Sequence, residues 1–133
     1  MKTIISCIVG AAMAFGAISP AIAKDRTAKG EERLAKLIEG RTAGEPVSCI
    51  NTYSTDNPEI IDRVAMVYKH GKTIYVARPV HPDQLDTSDI LVMNRFSSSQ
   101  ICVQDRMHTV DRSSGMTTGV VFLTEFVPYT KEG

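Results

Sequence analysis

A chain of 133 residues with 15 basic and 15 acidic side chains carries a formal net charge of zero. No global field recommends nucleic acid or an anionic membrane as partner, and the basic residues are interleaved with acids, without zinc-finger spacing or a glycine-rich phosphate loop. The length suits one domain with a modest core.

Residues 1–23 read as a removable export signal. Lys2 precedes an apolar run through Ile22, and Ala21-Ile22-Ala23 has the small-x-small pattern of a signal peptidase site. Ser6, Gly10, Gly16, Ser19 and Pro20 interrupt the run, which argues against stable membrane insertion. Cys7 has most of the apolar region after it, contrary to a lipoprotein signal, and departs with the leader. The expected product is a single small β-rich domain, residues 24–133, in the periplasm or secreted.

Export changes the meaning of the two remaining cysteines. Cys49 and Cys102 form an even pair in a compartment where disulfides persist, so a structural bridge is the expectation. Two free thiols or an intermolecular bridge are the alternatives, and a redox-active dithiol would want a Cys-x-x-Cys spacing that the chain lacks.

Along the mature segment, residues 30–41 have helical spacing, with Leu34, Leu37 and Ile38 on one stripe and Gly40 as terminator. Gly44-Glu45-Pro46 makes a turn before a short strand at 47–50, and 51–58 is loop-like. Strands at 63–68 and 73–77 make the clearest hairpin. With His70-Gly71 as its loop, Tyr68 faces Thr73, Met66 faces Tyr75, Val64 faces Ala77 and Arg63 faces Arg78. One face then carries Val64, Met66, Tyr68, Thr73, Tyr75 and Ala77, the other Ala65, Val67, Ile74 and Val76. Apolar residues on both faces put this hairpin at the centre of a sheet, with Pro79 ending its second strand.

Further strands are expected at 89–96, from 101 toward 110, and at 120–127, with Pro128 limiting the last ladder. The fold class is therefore α+β: a short N-terminal helix on a curved, mainly antiparallel five- or six-stranded sheet or small, partly closed barrel. A plain β-sandwich is the nearest competitor.

Chemistry is sparse. His70, His81 and His108 have no ligand spacing, and Asp83, Asp86 and Asp89 lack the glycine and terminal glutamate of a calcium loop. No serine has an assignable base, Asp105 and Asp111 have no established cleft, and no residue is named catalytic. No cofactor or metal is expected. Arg63 and Arg78, opposed at the open end of the hairpin, would repel unless solvent, Asp62 or a bound anion intervened. Solvated rim residues are the simpler account. Together with Tyr68 and Tyr75 they are the candidate anion or partner surface.

Several segments together, Arg33-Leu34-Ala35-Lys36, Glu39-Gly40-Arg41, Gly44-Glu45-Pro46-Val47-Ser48-Cys49-Ile50, Asp89-Ile90-Leu91-Val92 and Glu125-Phe126-Val127-Pro128-Tyr129, resemble a family of small, uncharacterised exported proteins from sphingomonad-type alphaproteobacteria. The resemblance spans nearly all of the mature chain, including both cysteines. It implies periplasmic or secreted placement and a structural disulfide, and it supplies no activity or ligand. The expected function is a binding or interaction module for an envelope protein or other envelope component, with exposed strand edges able to recruit an extended segment. A small envelope hydrolase is the alternative of a different class; an enzyme inhibitor or structural accessory protein is a third.

Overall fold

The computed structural model describes residues 21–53 and 57–132, with side chains from 24 onward. The expected export signal, residues 1–23, lies outside the described residues except for the backbone of 21–23. Among the described residues, no helix is long and apolar enough to cross a membrane.

The central hairpin pairs β4 (Ala65–His70) with β5 (Thr73–Pro79), His70 opposite Thr73 and Tyr68 opposite Tyr75. The loop is Gly71-Lys72, one residue later than expected. Gly71 adopts φ 59° while no histidine has a positive φ. A two-residue loop with glycine first needs one left-handed residue, whereas His70-Gly71 in a type I′ turn would force His70 into that region as well. Each residue consequently faces a partner two positions further along, and a two-residue slip leaves the faces unchanged.

Helix α1 (Ala21–Ile38) covers one of those faces. Leu34, with Leu37 and Ile38 beside it, packs against Ile61, Val64, Ala65, Val67, Ile74 and Val76. Val64 had been expected on the opposite face. It lies before β4 in the turn from β3 (Glu59–Ile61), and Arg63 in that turn takes φ 57°. Arg63 and Arg78 therefore do not face each other across a ladder.

The helix ends near Gly40, which has φ 71°, but begins well before the expected Gly30. Its contact stripe continues upstream through a residue without a side chain. A Cβ on Gly30 would stand 2.5 Å from Val64 Cγ2 and 3.1 Å from the Asp62 carbonyl oxygen. Further up, Arg26 bonds Asp62 at 2.6 Å and Asp86 at 3.2 Å. Arg33 and Lys69 share the Glu59 carboxylate at 2.5 and 3.0 Å, and Arg78 clamps Glu31 through both oxygens at 2.7 and 3.1 Å. The helix is riveted to the sheet by these partners, since local sequence alone sustains a short helix poorly.

The main sheet has five antiparallel strands in the order β1-β10-β5-β4-β3, where β1 is Arg41–Ala43 and β10 is Leu123–Lys131. Pro128 lies inside β10 instead of ending it. Its carbonyl accepts the Gly44 N–H at 2.7 Å, just past the last β1 pair, Ala43 with Tyr129. Within an antiparallel strand the N and C=O of one residue point to the same side. The missing N–H of Pro128 thus faces the end of β1 and costs no bond toward β5.

The second face of the main sheet carries Met66, Tyr68, Ala77 and Phe126 and is covered by β structure. Two small antiparallel sheets do this: β2 (Cys49–Asn51) with β7 (Gln100–Cys102), and β6 (Ile90–Asn94), β8 (Arg106–Val110) and β9 (Thr117–Val121) in the order β6-β8-β9. Ile50, Ile101, Met107, Val121, Leu85 and Leu123 complete that core, and Tyr68 meets Phe126 edge-on with ring centroids 6.0 Å apart. The result is helix, sheet, and a broken second β layer, open and not closed into a barrel. A five-stranded antiparallel sheet is as expected; two of the additional strands arise where the runs 101–110 and 120–127 each break in two, and the other two, β1 and β3, form where no strand was expected.

Two outcomes follow. Gly30→Ala lowers stability in urea denaturation by about 1 kcal/mol even though alanine is the better helix former, because overpacking costs about 1–3 kcal/mol and the propensity gain is at most about 1; an unchanged or raised midpoint would refute the close approach. Acid undocks the helix first. Glu31 is held below the usual carboxylate range by its bonds from Arg78, Glu59 by those from Lys69 and Arg33, and Asp86 by those from Ser88 and Arg26. Their stabilisation is complete above the unfolded value of about 4 and is lost as pH falls below it. Hydrogen exchange followed from pH 6 to 3 should deprotect α1 before β4 and β5, and simultaneous loss would count against this ordering.

Candidate functional site

Strands β1 and β3 end the main sheet and β6 and β9 the three-stranded one, and of these β3 and β6 border one depression. Among the described residues, no backbone partner is found on the outer edge of β6. A groove follows that edge as three adjoining depressions of about 610, 380 and 370 Å³. They meet β6 in sequence order: the first at Ile90, Leu91 and Met93, the second at Met93 and Arg95, and the third at Asn94, Arg95 and Phe96.

The alternation of β6 sets the floor. Leu91 and Met93 pair across the ladder with the buried Thr109 and Met107, so they point toward the core and only their flanks reach the groove. Ile60 of β3 supplies the facing wall of the largest depression, with Asn57 and Pro58 shared between the first two. Tyr68 reaches the second. It is 1 % exposed, its hydroxyl donates to Met93 Sδ at 3.7 Å, and burial pushes its phenol far above the usual range. It therefore stays a neutral phenol and shapes the groove.

Charges at the apolar end already have partners. Asp86 accepts from the Ser88 hydroxyl at 2.6 Å, Asp89 accepts from Thr118 at 2.6 Å, and Arg112 Nε donates to the Ser88 carbonyl at 2.8 Å. At the other end, Arg95 donates to the neutral Thr52 hydroxyl at 3.3 Å. Arg106 joins Arg95 in the third depression. Asp105 beside it is 3 % exposed and turned inward, accepting the N–H groups of Phe96 at 3.2 Å and Cys102 at 2.9 Å.

The wall behind the groove is held by the disulfide. Cys49 and Cys102 face each other across β2 and β7 with Cα atoms 4.0 Å apart and sulfurs bonded. Ile101 and Thr52, their close neighbours, line the central depression.

The other residues singled out from sequence are dispersed. Arg78 is engaged by Glu31, Arg63 lies in the β3–β4 turn, Tyr68 is buried, and Tyr75 is partly buried against the same cluster. No group of three or more His, Cys, Asp or Glu side chains suited to a metal ion occurs among the described residues. Asp105 and Asp111 sit at opposite ends of β8, and Asp111 is consumed by the N–H and hydroxyl groups of Ser113 and Ser114, which hold its carboxyl far below the usual range. Ile60, Leu91, Met93, Arg95 and Arg106 were not singled out. For Leu91, Met93 and Arg95 the sequence signal is the expected strand at 89–96, Arg106 falls in the one from 101 toward 110, and Ile60 falls in none.

No family model, curated protein or solved structure matches the chain.

Removing the disulfide by Cys49→Ser with Cys102→Ser is expected to cost about 4 kcal/mol, from the entropy of a crosslink closing 53 residues. Equal thermal midpoints for the double variant and the oxidised protein would contradict this.

Proposed function

We propose that this protein is an exported binding module that holds an extended polypeptide segment along the free edge of β6. The observation that carries the reading is the coincidence of the groove with an unpaired strand edge. A row of backbone N–H and C=O groups is best satisfied by another extended backbone, and alternate side chains of the added strand then fall on Ile60, Leu91 and Met93. Five residues of β6 extend for roughly 17 Å, enough for a segment of about five residues.

The leader-like residues 1–23, the oxidised cysteine pair and the resemblance to small exported proteins support periplasmic or secreted placement, where the segment would come from an envelope protein. A binder is favoured over an envelope hydrolase because the groove offers an apolar floor and a strand edge.

Panning the purified protein against displayed random dodecamers, followed by NMR titration, tests the reading. Selected peptides should shift the amide signals of Ile90–Asn94 and leave those of Arg41–Ala43, on the far edge of the main sheet, unmoved. Leu91→Ala should weaken binding about tenfold, the scale for losing one anchoring apolar contact. Shifts confined to other strands, or no selected binder, would refute the groove.

A further inference from the structure

We infer that the Arg95 end of the groove is a carboxylate anchor, so that the bound segment presents an acidic group there and apolar residues toward Ile90. This rests on the strand-binding reading and assigns the ligand its chemistry and its placement along β6.

Six cations on α1, β4 and β5 are held by carboxylates. Arg26, Lys29, Arg33, Lys36, Lys69 and Arg78 are each within 4 Å of a carboxylate. Arg95 and Arg106, like Lys24, Arg41, Arg63, Arg112 and Lys131, belong to no such pair among the described residues, and what sets these two apart is that both line one depression of about 370 Å³. The nearest acid in sequence, Asp105, is withheld by two backbone N–H groups and points into the fold. Two positive charges at one depression favour an anion there, and a carboxylate can accept from more than one guanidinium. Phe96, 78 % exposed, lines the same depression and gives the aliphatic stem of an acidic residue an apolar surface to lie on. The opposite end of the groove offers no comparable site, because Arg112 is tied to the Ser88 carbonyl and Asp86 and Asp89 are themselves acids.

A carboxylate has two sources in a peptide, an acidic side chain or a free C-terminus. Peptides that bind the β6 edge are resynthesised with Glu or Asp changed to the amide and, separately, with the C-terminus amidated, and affinities are measured by calorimetry at low and high salt. One of the two changes should weaken binding about 10- to 100-fold, the scale of a charge-assisted bond, and the loss should shrink with salt. Which change does so identifies the source. Arg95→Gln and Arg106→Gln, both at exposed positions, should bind acid and amide forms alike while keeping the wild-type melting curve. Peptides that shift β6 amides but bind equally as acids and amides would overturn the anchor and leave the groove standing. No β6-binding peptide at all would overturn both.

Discussion

Strands β4 and β5 carry apolar side chains on both faces, and a sheet buried on both faces has to be covered twice. The described chain contains one long helix. That helix takes the side of Ala65, Val67, Ile74 and Val76, so the side of Met66, Tyr68 and Ala77 falls to whatever the rest of the chain supplies. It supplies short strands, because the segments between residues 47 and 121 are broken by turns too often for a second long element.

The open edges are a consequence. A cover built from a two-stranded and a three-stranded sheet cannot close on itself, and β6 is left with one side unpaired beside β3. In most small proteins such an edge is a liability that is blunted by charge or covered. Here it borders a groove whose floor is the margin of the main core and whose end carries two arginines with no carboxylate partner among the described residues. The features that make the second layer incomplete are the same ones that create the groove.

Holding so thin a layer in place needs long-range ties. The disulfide locks β2 to β7, Asp105 draws the loop at Phe96 onto the backbone of Cys102, and the Val47 bridge to Phe126 joins this layer to the main sheet. The helix side uses ion pairs for the same purpose. These pairs are partly exposed and individually worth little, but two of them meet at the β3 margin, where Glu59 binds α1 and β4 and Asp62 binds α1 and the Thr87 N–H.

Apart from Val64, the face assignment of the hairpin was legible from alternation alone, since a slip of two residues preserves it, and so were the helix stripe at Leu34, Leu37 and Ile38 and the pairing of Cys49 with Cys102. These are local periodicities, or parity in a small set, and they depend on residue type at fixed spacing. Tertiary structure decided the rest. The first turns of α1 depend on Gly30 meeting Val64 and on Arg26 reaching Asp62 and Asp86, 36 and 60 residues away. Pro128 stays inside a strand because β1 ends where its N–H would have pointed, and the groove exists because β3 and β6 are both last in their sheets. None of these has a local signature: each is set by which distant backbone lies alongside, and a one-dimensional pattern of apolar and polar residues carries no record of that neighbour.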